Sequence, residues 1–255
     1  MLTVRQICAC LDAAFPFSSA EDWDNVGLLL GDPGRDVRRA VVCLDLTREA
    51  AGFAAARDAD LVLTHHPVIF RPLRSVTPRE PWFPLLARGT AVLSLHTNLD
   101  AAPDGVSDAL REALGLEPEI PDPGEGSVSR FLAFGRCTET DADCFALRTA
   151  ELFRGQGFDC VPRVTGFGRF SRAAVCGGAG GEFWQDALRA GAGLLVTGEA
   201  KYHELVDACN AGLPVMLLGH WLSEQFILPR LEQRLRELDP GLRVDVFRED
   251  CGRFF

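Results

Sequence analysis

Short apolar runs that alternate with segments of helical spacing constrain this chain more than any other feature. RRAVVCLDLT, DLVLT, TAVLSL, GLLVTG and LPVMLLG are β-branched or leucine-rich and brief, as buried strands are. Before and between them lie RQICACLDAAF, the alanine-rich REAAGFAAARDA, PWFPLLARG with its glycine stop, and GVSDALREALGL, all with helical apolar spacing. That β-α-β order predicts a largely parallel sheet covered by helices. RFLAFGRC and RAAVCGGAGG read as further strands, and DADCFALRTAELFRGQ, EFWQDALRAG and KYHELVDACNAG as further helices, so a second α/β unit is expected. A last helix over SEQFILPRLEQRLREL should be interrupted or bent near Pro229.

With 255 residues, 47% of them hydrophobic, the chain can fill one large core or two ordinary ones. EPEIPDPGEGSVS, residues 117–129, concentrates Pro, Gly, Glu and Ser and is the best boundary candidate. The expectation is two α/β domains: residues 1–125 completed by 215–255, and residues 126–214.

Only five histidines are present, yet two are adjacent in LVLTHHPVIF. His65 and His66 follow LVLT, His96 and then Asp100 follow TAVLSL, and His220 follows LPVMLLG with Glu224 four residues on. Each group stands at the carboxyl end of an apolar strand, the edge where open α/β sheets bind ligands. One such histidine alone would be an ordinary hydrogen-bonded loop residue. His65, His66, Asp100, His220 and Glu224 brought together without a cation would carry a large desolvation cost or take up protons, whereas a metal accounts for the set.

Neighbouring residues of an extended segment face opposite sides, and Pro67 keeps His66 out of the helical region, so the paired imidazoles can serve two different ions. His220 and Glu224 lie one turn apart if a helix starts at once, and a carboxylate there can bridge two cations. His65, His66, Asp100, His220 and Glu224 are therefore the candidate metal ligands. Their nitrogen and oxygen donors suit Zn, Fe, Mn or Co rather than a soft metal, and leave the choice among these open.

Charge and composition narrow the partners. Against 26 Lys plus Arg stand 36 Asp plus Glu, and the net charge of −10 opposes nucleic-acid binding. The N-terminus lacks a signal-peptide pattern and there is no long uncharged apolar run, so a cytoplasmic protein that does not enter a membrane is expected. Nine scattered cysteines, Cys8, Cys10, Cys43, Cys137, Cys144, Cys160, Cys176, Cys209 and Cys251, form no C-x-x-C pair. Reduced, mostly buried thiols are the expectation.

Other motifs carry less. CGGAGGEF either offers backbone N–H groups to a phosphate or makes a tight strand-to-helix turn, and it lacks the Lys-Ser/Thr of a P-loop. HELVD has Asp207 where a zincin helix needs its second histidine, and the H-x-E with P-C-x-x-C signature of zinc deaminases is absent. WDNVGLLLGDP reads as structural, with Gly27 and Gly31 in turns or close packing and Asp24 and Asn25 as groups that can face a cavity.

Six segments in fixed order, WDNVGLLLGDP, LTHHPVIF, LHTNLDAAPDGVSDAL, CGGAGG, VTGEAKYHE and GHWLSEQF, resemble the NGG-interacting-factor-three-like family. Its bacterial members are called GTP cyclohydrolase 1 type 2 homologues. The resemblance runs from about residue 20 to about residue 228. It implies two α/β domains with a dinuclear metal site in the cleft at the carboxyl ends of the strands. It further implies a toroidal homohexamer, a trimer of dimers. The family's metal positions fall on His65, His66, Asp100, His220 and Glu224. His96 and His203 match positions lining the same cavity and are candidates for proton transfer or substrate contact. The domain that some members insert between their halves has no room here, and Trp221 stands where tyrosine is common.

Two function classes are compatible with these observations. One is a hydrolase with two divalent ions per chain, in which activated water attacks a purine nucleotide, GTP by the family name, or a related phosphorylated small molecule. The other is a non-catalytic protein that stores, delivers or senses a metal.

Overall fold

The computed structural model describes residues 1–120 and 128–249. The chain forms two compact units, residues 1–101 with 228–255, and residues 102–227. The first unit opens with strand β1 (Leu2–Thr3) and helix α1 (Val4–Ala14), whose start is closed by a Thr3/Gln6 capping box. Strands β2 (Gly27–Leu30), β3 (Asp36–Val37) and β4 (Arg39–Cys43) follow, then helix α2 (Arg48–Ala56), capped by the Thr47 side chain. Next come β5 (Leu61–Thr64), α3 (Phe83–Ala87), β6 (Ala91–Ser94) and the short α4 (Thr97–Asp100).

The second unit contains α5 (Val106–Ala113), β7 (Glu117–Glu119), β8 (Ala133–Asp141), α6 (Ala142–Gly155), β9 (Arg163–Thr165) and β10 (Arg169–Cys176). It continues with α7 (Trp184–Arg189), β11 (Leu194–Thr197), α8 (Tyr202–Asn210), β12 (Val215–Leu217) and α9 (His220–Glu224). The chain then returns to the first unit through α10 (Leu228–Leu238) and β13 (Arg243–Val246).

In the first unit β13, β4, β5, β6 and β2 form one sheet in that order. Its four leading strands are parallel and β2 is antiparallel at the edge. Every residue of β5 and β6 is buried, which explains why LVLT and AVLS read as continuous apolar runs rather than alternating ones. The second unit has the order β7-β8-β10-β11-β12-β9, with a parallel centre of β10, β11 and β12. Its core sits on both faces: Phe145, Phe153 and Phe170 lie with Val196 and Met216, and Leu195, Leu213 and Val215 with the alanines of α7 and α8.

The unit boundaries differ from those expected. They fall at Ala101/Ala102 and Ile227/Leu228 rather than near residue 125 and residue 214. Helix α5, expected in the first domain, packs on β8 and β10, with Leu110 buried in the core of the second unit. Strand β12 and helix α9, expected in the first domain, belong to the second because β12 is bonded to β11. The Pro/Gly-rich stretch 117–129 begins as strand β7, paired with β8, while its central part, 121–127, lies outside the described residues. The expected last helix is broken into α9, a 3-10 turn at Gln225–Ile227, and α10 with Pro229 as its second residue. Proline is tolerated there because the first-turn N–H groups need no helical acceptor.

The cysteines are less buried than expected. Cys43, Cys160 and Cys176 are buried, but Cys10 and Cys144 stand exposed on α1 and α6 and Cys8, Cys137 and Cys209 are intermediate. Cys251 lies outside the described residues. No helix among the described residues is long and apolar enough to cross a membrane.

Candidate metal centre

In the first unit the sheet register brings His65, His66, His96 and Asp100 to one edge. Thr64 pairs with Ser94 across β5 and β6, and with Cys43 across β5 and β4. The residues just beyond these three strand ends are therefore neighbours. The rings of His65 and His66 lie 4.8 Å apart, those of His65 and His96 5.4 Å, and those of His66 and His96 5.6 Å. The opposite-facing arrangement expected for adjacent strand residues does not occur. Strand β5 ends at Thr64, and the Thr64 hydroxyl, held 2.7 Å from that of Ser94, donates to the His66 carbonyl at 2.8 Å and bends the chain there.

Each imidazole is oriented by an acceptor on its Nδ1. His65 Nδ1 lies 2.8 Å from the Leu95 carbonyl oxygen, which can only accept. The proton of a neutral His65 is thereby fixed on Nδ1, and Nε2, 3.6 Å from Asp100 Oδ1, carries the lone pair. His66 Nδ1 lies 2.9 Å from Asp45 Oδ1, and His96 Nδ1 lies 2.8 Å from Asp24 Oδ1. Burial alone would raise the pKa of Asp24, yet hydrogen bonds from His96 and from the Thr97 hydroxyl and backbone N–H hold it down at about 2. Asp24 is thus an ionised acceptor, and a neutral His96 likewise has its proton on Nδ1.

The second unit carries its own histidine and carboxylate pair. Strand β12 runs through Leu218 and Gly219 into α9, where His220 Nε2 and Glu224 Oε1 are 3.2 Å apart across one turn. His220 Nδ1 lies 3.2 Å from Glu199 Oε2, and Glu199 stands just beyond β11, the neighbour of β12. Glu224 is buried and His220 is partly exposed. The Ser223 hydroxyl donates to the His220 carbonyl at 2.7 Å and accepts from Gly178 N–H at 2.9 Å, which fixes the start of α9 against the CGGAGG loop.

That loop is a packed turn. The N–H groups of Gly177, Gly178, Gly180 and Gly181 donate to the Ser107, Ser223 and Thr197 hydroxyls and the Glu199 carbonyl respectively, so they are committed within the protein. A Cβ on Gly178 would lie 2.5 Å from Glu224 Oε1 and 3.4 Å from His220 Nε2, at φ +63. Glycine is needed there because the His220/Glu224 pair occupies the space. WDNVGLLLGDP also has a packing role: β2 is an edge strand, and a Cβ on Gly31 would meet Ala91 Cα at 2.6 Å.

His203 is exposed in the first turn of α8, beside buried Glu204, which caps that helix by accepting from the Lys201 N–H at 2.7 Å. Asp45 and Glu199 were not anticipated from the sequence as site residues. Their signal is an acid two residues past a strand end, CLD and VTGE, in the strand that neighbours a histidine-bearing one.

The donor set fits a divalent cation. Four imidazoles are each anchored through Nδ1 by a carboxylate or backbone carbonyl, the usual support of metal-binding histidines. The carboxylates of Asp100 and Glu224 each lie near the Nε2 of one of those rings.

The model of the family described as Duf34/NIF3 (NGG1p interacting factor 3) matches residues 2–251. A Lactococcus lactis protein named GTP cyclohydrolase 1 type 2 homolog is 30% identical over 249 residues, covering 94% of this chain and 94% of that protein. A Streptomyces coelicolor protein of the same name is 32% identical over 241 residues, covering 88% of this chain and 82% of the relative. Among solved structures, a hypothetical protein of Staphylococcus aureus superposes with a TM-score of 0.87 at 23% identity, over 99% of this chain and 98% of the other, and so shares the fold. With a family model spanning nearly the whole sequence and relatives matched along most of their own length, the chain belongs to the Duf34/NIF3 family.

Proposed function

We propose that the two halves act together as a dinuclear-metal hydrolase site, at the carboxyl ends of the strands of both units. His65, His66 and Asp100 of the first unit and His220 and Glu224 of the second would hold two divalent ions drawn from Zn, Fe, Mn or Co. Together, His65, His66 and Glu224 would supply a His/His/carboxylate donor set of the kind that holds such an ion. When bound, the ions lower the pKa of water and polarise the bond under attack.

The observation that carries this reading is the common orientation of the imidazoles, each held through Nδ1. Asp45, Asp24 and Glu199 hold rings in place and stabilise their positive character. His96, which is outside the five ligands, has Nδ1 engaged by ionised Asp24, so its Nε2 is the atom that takes a proton from attacking water and returns it to the leaving group. His203 is a second proton-transfer candidate from the other unit. The substrate class is a purine nucleotide, GTP by the name of the relatives, or a related phosphorylated small molecule. A toroidal homohexamer is part of the same proposal, and light scattering should give about six subunit masses.

The test is a product assay over a nucleotide and phosphoester panel with metal-loaded and chelated protein. Metal-dependent product is expected, with His96→Ala retaining metal but losing about 10²–10⁴-fold in rate. Absence of product above a protein-free control across the panel would overturn the hydrolase reading in favour of a metal-handling role.

A further inference from the structure

Beside His96, two large aromatic side chains stand partly in solvent. Trp23 is 58% exposed and Phe70 is 45% exposed, yet their rings lie 5.7 Å apart, tilted by 55°. Both meet the His96 ring edge-on, at 6.1 Å and 6.3 Å. The segments that carry them are tied together, because Asn25 Nδ2 donates to the Ile69 carbonyl at 2.6 Å. Asp24, between Trp23 and Asn25, is itself fixed by its bonds to His96 and Thr97. Exposed apolar rings that already touch one another, on segments joined by hydrogen bonds and beside polar groups, suit a flat ligand, since the rings need less ordering when it binds.

We propose that Trp23 and Phe70 form a stacking subsite that takes the heteroaromatic ring of the small-molecule substrate beside His96. The inference rests on the reading of this site as one that acts on a ring-bearing small molecule. It adds the residues that grip the ring. Stacking tolerates ring identity, because every heteroaromatic base has a π-face, so the subsite selects for a planar ring rather than for one base.

The test is calorimetric titration of the metal-loaded protein with guanosine 5′-monophosphate and with ribose 5-phosphate, which shares the sugar and phosphate but lacks the ring. The wild type is expected to bind the nucleotide at least about tenfold more tightly. Trp23→Ala and Phe70→Ala should each weaken nucleotide binding by about 5–100-fold, leaving ribose 5-phosphate binding unchanged, and Trp23→Phe should retain most of the affinity. The proposal is overturned by a wild type that does not distinguish the two ligands, by alanine variants that bind the nucleotide like wild type, or by equal losses for both ligands. A change in scattering mass on Trp23→Ala would overturn it too, since the rings would then serve contact between copies of the chain. Binding and turnover separate the two claims. Metal-dependent product with unaltered nucleotide binding in the variants sinks the subsite alone, whereas ring-dependent binding without product sinks only the hydrolase reading.

Discussion

A neutral imidazole has one lone pair, and the partner of its other nitrogen decides where that pair points. Asp45 on His66 and Glu199 on His220 do this from neighbouring strand ends. Removing such a partner typically weakens metal binding by about 10–100-fold. Asp45→Ala should therefore lower affinity in a competition titration by that amount with an unchanged circular dichroism spectrum; unchanged affinity would show that Asp45 has no orienting role. Gly178→Ala is the complementary test. Its Cβ would stand 2.5 Å from Glu224 Oε1 in a left-handed backbone conformation, which disfavours other residues by about 1–2 kcal/mol. Lower thermal stability and lower metal content are both expected. The histidines themselves were legible because LTHHP, SLHTNLD and LLGHWLSE each end an apolar run. Asp45 and Glu199 were not, because an acid after a strand acquires a role only when the register places a histidine beside it.

The elements that hold these side chains are the central parallel strands, and those were the readable ones. LVLT, AVLS, LLVT and VML are buried on both faces, so their composition is set by the sheet itself. Edge strands β2, β7 and β9, and β13 beside β4, are short and draw their strand character from a partner, a dependence that local sequence does not express. Strand β7 even contains Pro118, permitted because it lies at the sheet edge. Leu63, fully buried in β5, supports the segment that presents His65. Leu63→Ala should cost about 2–5 kcal/mol in denaturant unfolding; a loss well below that would mean the strand repacks.

Strand β7 is also pinned by charge. Hydrogen bonds from Arg172 and Arg136 hold the Glu119 pKa at about 2, below its ordinary 4.5. A carboxylate whose pKa is lowered by folding stabilises the fold above its ordinary range, and that contribution disappears as pH falls from about 4.5 towards about 2. Glu119→Gln should be less stable than wild type at neutral pH and should lose less on acidification through this window. Parallel acid profiles for the two proteins would remove the assignment.

At the scale of the whole molecule, two units with separate cores supply three and two members of the proposed ligand set. A ligand that binds only the folded protein stabilises it by mass action, so chelation should lower the melting temperature and re-addition of a divalent ion should restore it. The central claim is that His65, His66, Asp100, His220 and Glu224 hold metal together, and elemental analysis of the purified protein beside its Glu224→Ala and His66→Ala variants tests it most directly. The account predicts up to about two divalent ions per chain in the wild type, a partial loss in His66→Ala and a larger loss in Glu224→Ala, because a bridging carboxylate serves both ions. Equal metal content in all three proteins would contradict it.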